Sequence, residues 1–311
     1  MNTPLRARRG VYTQKMSDTA TAPLVSAASA SASSAPYAWL NGEIVPLSEA
    51  KVGVTDLGLL RGFGIYEGLI THNRKPFMLK AHFERFHRSA EKMALVPPVS
   101  DEVIEAAILD LVERNVAPGK EALIRFILTG GPAIGVIDYD SATPTLFILA
   151  EEHKPIEPHY LENGCSVTVV DYHRDLSDIK SINYIKTVLL QKARKEKGAL
   201  EIIYTSGGLM LEAGGSNVFI VKDGTLVTPK DDIVLGITRR AVLEIAKGQF
   251  PIEERPVTIE EFYGAEEAFI TGSFKEIVPV VSADGRAIGA GTPGRITKMV
   301  LALYHDFTRS Y

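Results

Sequence analysis

The chain is nearly devoid of sulfur chemistry. Its 311 residues include one cysteine, Cys165, which excludes an intrachain disulfide and any Cys-x-x-Cys metal or redox site. It also lacks an excess of either charge. Lys and Arg total 34 against 38 Asp and Glu, a formal net charge of −4. So neutral a chain is not built to coat nucleic acid or an anionic membrane. No apolar run approaches the ~18 residues that a membrane span needs. The phosphate-loop pattern GxxxxGKS/T, the metalloprotease pattern HExxH and the nucleophile pattern GxSxG are all missing, and no GxGxxG follows a strand-like run. The seven histidines are scattered. His82 and His87 stand five apart on one helical stretch, not the four that a shared metal requires, and read as ordinary helix residues. Cys165 opens an apolar strand and reads as a core thiol.

What is present is a composition of 45% hydrophobic and 23% charged residues, that of a globular protein of about two domains. Residues 1–36 read as a disordered leader. From Ser26 to Ala35 there is only Ser and Ala, too little apolar bulk to offset ordering entropy. Arg6, Arg8, Arg9 and Lys15 precede the first acid, Asp18, a pattern shared with organelle transit peptides; an upstream start with Met16 as the true first residue explains it equally. A cytoplasmic location is otherwise expected.

Order begins at Tyr37. Asn41-Gly42 between two short apolar runs predicts a hairpin, because that dipeptide accepts positive φ. A second hairpin is expected around Asn73. His82–Leu95 and Asp101–Asn115 have helical apolar spacing, the latter with Ile104, Ile108 and Leu111 in one stripe. Glu121–Thr129 and Thr145–Ala150 read as buried strands. Acids and prolines then break the periodicity over residues 151–162, expected to be a linker between a small domain (37–150) and a larger one (163–311). The second part reads as strands at Ser166–Val170, Glu201–Tyr204, Asn217–Lys222, Thr225–Val227, Ala268–Thr271 and Ile277–Val281. Helices are expected at Asn183–Lys197, Thr238–Ala246 and Ile296–Phe307. The hairpins argue against a doubly wound parallel sheet and for an α/β (α+β) fold with mixed sheets.

Three segments carry chemistry. Leu235-Gly236-Ile237-Thr238-Arg239 leads into a helix, and free amides at a helix start bind phosphate. Thr271-Gly272-Ser273 follows a buried strand and offers amides and a hydroxyl. Glu212 stands at a strand end before Ala213-Gly214-Gly215-Ser216-Asn217. Taken singly, each reads first as an ordinary cap, turn or solvated acid.

Taken together, these residues resemble a known family. Asp178-Ile179-Lys180-Ser181-Ile182-Asn183-Tyr184, Leu211-Glu212-Ala213-Gly214-Gly215-Ser216-Asn217 and Gly236-Ile237-Thr238-Arg239 are similar to motifs of the class IV aminotransferases, pyridoxal 5'-phosphate enzymes of fold type IV. Arg61-Gly62-Phe63-Gly64-Ile65-Tyr66-Glu67-Gly68, His82-Phe83-Glu84-Arg85-Phe86 and the strand from Lys275 agree, so the resemblance spans Tyr37 to Tyr311. It implies Lys180 as the Schiff-base lysine and proton carrier, with Lys186 and Lys275 as the nearest rivals. It implies Glu212 opposite the pyridine nitrogen, Arg85 on the phosphate with Ile237, Thr238 and Ser273, and Tyr184 on the ring oxygen. It further implies small amino and keto acids as partners, and a homodimer or larger homo-oligomer in which the Arg61 region reaches a neighbouring site.

Substrate choice rests on two arginines. Branched-chain members carry tyrosine where Arg61 stands, and Arg125 interrupts an apolar strand, where a charge needs a reason. Both are expected to bind an anionic substrate group. The alternatives are a structural acid for Arg125 and a surface turn for Arg61. The loop Gly130–Gly135 lacks the arginine and histidine of well-known bacterial D-amino-acid members. The favoured expectation is nonetheless a D-amino-acid transaminase using 2-oxoglutarate and pyruvate-type acceptors, with an L-branched-chain transaminase or a lyase of the aminodeoxychorismate type as alternatives.

Overall fold

A computed structural model describes residues 36–311, and the leader expectations for residues 1–35 lie outside the described residues. Two sheets organise the rest. The first is antiparallel throughout, in the order β2-β1-β6-β5-β3-β4. It comprises β1 (Tyr37–Leu40), β2 (Glu43–Pro46), β3 (Gly64–His72), β4 (Lys75–Pro76), β5 (Ala122–Thr129) and β6 (Thr145–Glu152). Helices α1 (Leu57–Arg61), α2 (Leu79–Lys92) and α3 (Asp101–Asn115) interrupt it in sequence. Asn41 and Gly42 turn the first hairpin with φ of 48° and 106°, and Asn73 and Arg74 turn the second with 51° and 61°.

Strand alternation gives this sheet two unlike faces. Ile65, Leu69, Ile124, Phe126, Leu128, Leu146 and Ile148 point to α2 and α3 and form one core with Phe83, Phe86, Ile104, Ile108 and Leu111. The opposite face carries Tyr66, Gly68 and Arg125, with Gly68 directly across from Arg125. That face turns toward the second sheet. The ring of Phe274 lies over Gly68, 2.7 Å from where a Cβ would stand.

The second sheet is ten-stranded and mixed, in the order β12-β11-β10-β14-β15-β7-β8-β9-β13, with β16 on β15. Its strands are β7 (Cys165–Asp171), β8 (Glu201–Ser206), β9 (Leu209–Ala213), β10 (Asn217–Lys222), β11 (Thr225–Thr228), β12 (Ile252–Glu254), β13 (Val257–Thr258), β14 (Glu267–Gly272), β15 (Glu276–Ala283) and β16 (Arg286–Ala287). Helices α4 (Pro158–Asn163), α5 (Ile185–Glu196), α6 (Ile237–Ala246), α7 (Ile259–Tyr263) and α8 (Arg295–Arg309) complete the order. Both faces are covered. Phe219, Val221, Phe269 and Ile277 pack under α6 and α8, and Val218, Ile220, Ile270 and Val278 pack with Phe262 of α7 and Leu161 of α4. Cys165 is buried within that second core.

Two readings of the sequence need correction, and one strand that was read only at its end is completed. The first long helix starts at Leu79, a turn before His82, because Met78 takes a left-handed φ of 48° and bends the chain into the helix. The stretch 151–162 is not a plain connector: Glu151 and Glu152 continue β6, and Pro158 starts α4. Met210 and Leu211 lie in strand β9, which the Gly207-Gly208 turn folds back on β8. Among the described residues, no helix is long and apolar enough to cross a membrane.

Candidate active site

The segment after β7 runs from the second sheet back to the first. The Tyr66 amide donates to the carbonyl of Lys180 at 3.0 Å, and the Ile182 amide donates to the carbonyl of Gly64 at 3.0 Å. These bonds lay Lys180–Ile182 along β3 as one further antiparallel bridge. The Lys180 Nζ is thereby brought 3.3 Å from the Tyr66 hydroxyl, and that hydroxyl donates to Tyr184 Oη at 2.7 Å. Burial pushes the Tyr184 phenol up to about 12 and the Tyr66 phenol above its ordinary value, so both rings stay protonated at neutral pH.

Lys180 and Tyr184 line a cleft together with Arg85, Glu212, Ile237, Thr238 and Ser273. All seven residues tied to the cofactor by sequence thus share one cavity. Arg61 and Arg125 are not among its lining residues. Arg61 ends α1, exposed, with its guanidinium on the carbonyls of Leu60 and Val136. Arg125 donates to Glu151 across the strand pair at 2.6 Å, while its Nε is buried with no hydrogen-bond partner. The rival lysines stand elsewhere. Lys186 sits over the Tyr172 ring, and Lys275 donates to Glu201 at 2.6 Å.

One end of the cleft is built for an anion. Gly236 caps α6, leaving the amides of Ile237 and Thr238 at a free helix start. A Cβ on Gly236 would collide with Asn217 Oδ1, so only glycine lets the loop approach β10 this closely. Thr271 Oγ1, buried on the cleft wall, has no partner within the protein. Arg85 supplies fixed positive charge. Its Nε and Nη2 grip Glu67 at 2.9 and 2.6 Å, and its Nη1 reaches the carbonyl of Leu235 at 3.1 Å.

Glu67 is the hinge of a buried triad, since His82 Nδ1 also lies 2.6 Å from its carboxylate. Burial would raise the Glu67 carboxyl, but the charge and hydrogen bonds of Arg85, with His82, outweigh it and hold it down to about 2. Burial pushes His82 below its ordinary value, so the neutral ring donates its Nδ1–H to the carboxylate. His82 is therefore not an ordinary helix residue. Its spacing from His87 gave no hint of a partner that lies on β3.

At the other end, Glu212 accepts from Arg174 Nη1 at 2.8 Å and from the Val234 amide at 3.0 Å. Burial pushes its carboxyl up, and Arg174, the Val234 amide and Lys180 pull it back. The cleft therefore offers an amine, a buried carboxylate and an amide-and-guanidinium cup. That layout fits a flat heteroaromatic ring bearing a phosphate and an aldehyde, and the unpartnered Thr271 hydroxyl is an open donor on its wall. Among the described residues, no group of His, Cys, Asp and Glu is arranged to hold a metal ion.

Residues 64–283 match the family model described as amino-transferase class IV. The chain is 35% identical over 279 residues to the "Putative branched-chain-amino-acid aminotransferase" of Methanocaldococcus jannaschii, covering 86% of this chain and 95% of that one. It is 32% identical to a D-alanine aminotransferase of Staphylococcus epidermidis, over 88% of this chain and 98% of that one. Among solved structures, it matches the branched-chain amino acid aminotransferase of Escherichia coli with a TM-score of 0.83 at 28% identity, over 89% and 96% of the two chains. The branched-chain amino acid aminotransferase of Thermobaculum terrenum, solved in its PLP-bound holo-form, gives 0.78 at 26% identity, over 90% and 95%. The chain belongs to the class IV aminotransferases. It is a fold type IV enzyme that uses pyridoxal 5'-phosphate to move amino groups between small amino and keto acids.

The triad generates a test. Glu67→Gln leaves the Arg85 charge buried and unpaired, at a cost of about 3–5 kcal/mol. The folded carboxyl lies near 2 against an ordinary 4.5, so the stability its charge adds is complete above about 4.5 and drains away toward pH 2. Melting curves of wild type and variant should therefore converge across that window. A gap that stayed constant would show that the Glu67 charge is not coupled to folding.

Proposed function

We propose that this enzyme is a D-amino-acid transaminase, with D-Ala or D-Glu as donor and 2-oxoglutarate or a pyruvate-type acid as acceptor. The observation that carries the reading is the place of Arg125 beside Tyr66 on the sheet face that turns toward the second sheet, with donors to spare. Glu151 engages one terminal nitrogen only, and the buried Nε has no partner. The residue shares the sheet face of Tyr66, one diagonal step away, and its cross-strand neighbour Gly68 has no side chain. A guanidinium there matches an α-carboxylate in a bidentate fork.

The roles follow from position. Pyridoxal 5'-phosphate, when bound, supplies the carbonyl that receives the amino group and the ring that accepts electrons. Lys180 is the amine that holds it and the base that lifts the substrate Cα proton. Tyr66, within reach of both Lys180 and Tyr184, steadies that amine. Glu212 faces the ring nitrogen. Ile237 and Thr238 amides, Ser273 and Arg85 hold the phosphate. Borohydride reduction of the holoenzyme should fix the cofactor on the Lys180 peptide, and Lys180→Ala should abolish transamination. A label on Lys186 or Lys275 would overturn the assignment.

The enzyme works as a homodimer in this reading. Leu59, Val136 and Ile137 beside Arg61, and Ile185, Val188 and Leu189 on α5, the helix that follows Tyr184, are exposed large apolar side chains. Such clusters mark protein contacts. A second copy docked there brings its Arg61 to the cleft. Light scattering should give at least a dimer, and a fully active monomer contradicts it.

An L-branched-chain specificity is favoured by the likeness to enzymes of that name. Kinetics on D-Ala, D-Glu and L-Leu separate the two. Losing a charge-assisted bond costs about 1.5–3 kcal/mol, roughly ten- to a hundredfold in kcat/KM. Arg125→Ala should thus raise KM for D-Ala and 2-oxoglutarate without weakening the cofactor. A wild type that prefers L-Leu replaces the D reading with the branched-chain one.

A further inference from the structure

Arg174 is a residue that no motif singles out, yet it ties together three parts of the cleft. Its Nη1 donates to Glu212 Oε1 at 2.8 Å, and its Nη2 donates at 3.1 Å to the carbonyl of Ile179, the residue before Lys180. Its guanidinium carbon stands 5.9 Å from the centre of the Tyr184 ring. The pair is secluded, with side chains 12% and 7% exposed for Arg174 and Glu212.

We propose that Arg174 is a positioning residue that keeps Glu212 ionised and aimed into the cleft, and that holds the Lys180 segment in register with it. The proposal rests on Glu212 facing the cofactor's ring nitrogen. A carboxylate withdrawn from water favours its neutral form, and a neutral carboxyl cannot hold a ring nitrogen protonated. The groups that face Glu212 are few. Lys180 comes from the segment on β3, the Val234 amide from the loop before α6, and Arg174 from the loop after β7. Arg174 alone combines full charge with a direct hydrogen bond. Because the same guanidinium holds Ile179, the carboxylate and the lysine are spaced by one rigid group.

The test uses full-length wild type, Arg174→Met, Arg174→Lys, Glu212→Gln and the Arg174→Met/Glu212→Gln pair. Carbon-13 NMR of apoenzyme labelled at glutamate carboxyls follows Glu212 directly, its signal being the one lost in Glu212→Gln. In Arg174→Met that carboxyl should titrate roughly one to three pH units higher, the span set by a lost opposite charge. The acid limb of kcat and of the bound cofactor's absorbance in the holoenzyme should rise with it. Arg174→Lys should restore most of the acid limb. On the Glu212→Gln background, Arg174→Met should cause little further loss, since residues acting through one another are not additive. An unmoved Glu212 signal, or a loss of activity equal at every pH and additive with Glu212→Gln, overturns the proposal. If Glu212→Gln itself turns over normally, the reading of Glu212 falls and the proposal falls with it.

Discussion

Two main-chain hydrogen bonds hold this site together. Tyr66 to Lys180 and Ile182 to Gly64 stitch a segment that leaves the second sheet onto β3 of the first. Side chains can be exchanged without losing such bonds, because donor and acceptor belong to every residue except proline. Everything placed around Lys180 inherits its position from that bridge. Tyr66 neighbours the amine because it sits on the bridged strand. Arg85 reaches the cleft because α2 packs on the other face of the same sheet through Leu79, Phe83 and Phe86.

The electrostatics follow a common plan. Several buried or half-buried charges are shared with partners on distant stretches of chain, and Arg85, Arg174 and Glu212 among them line the cleft. Glu67 answers Arg85 across 18 residues, Arg174 answers Glu212 across 38, and Glu201 answers Lys275 across 74. Unpaired, any of these would be costly in a low-dielectric interior. Paired, they form fixed dipoles that a ligand meets already oriented, which is how preorganised sites stabilise developing charge.

That plan explains what the sequence revealed and what it hid. Local rules sufficed where the signal is local. Asn41-Gly42 turned where its conformational freedom requires, and the stripe Ile104, Ile108, Leu111 marked α3 without error in its bounds. The cleft-lining residues were recognisable because they cluster in short motifs at turns. Partners across the fold left no such mark. Glu67 in Tyr66-Glu67-Gly68 looks like any solvated acid until β3 is set beside α2. Arg174 sits in a polar stretch, His173 to Asp178, whose composition suggests only a loop. Strand β9 was foreseen only at its end, at Glu212, although Gly207-Gly208 marks the turn that pairs it with β8.

The cleft draws Arg85 from the helix of one sheet and the amides of α6 from the other, joined at the Leu235 carbonyl. A ligand gripping both can bind only when the two sheets are assembled. Its binding energy then adds to their cohesion by mass action, about 2.7 kcal/mol at a hundredfold excess over Kd. A ligand held at that junction would therefore slow local opening of the chain as well as serve the chemistry.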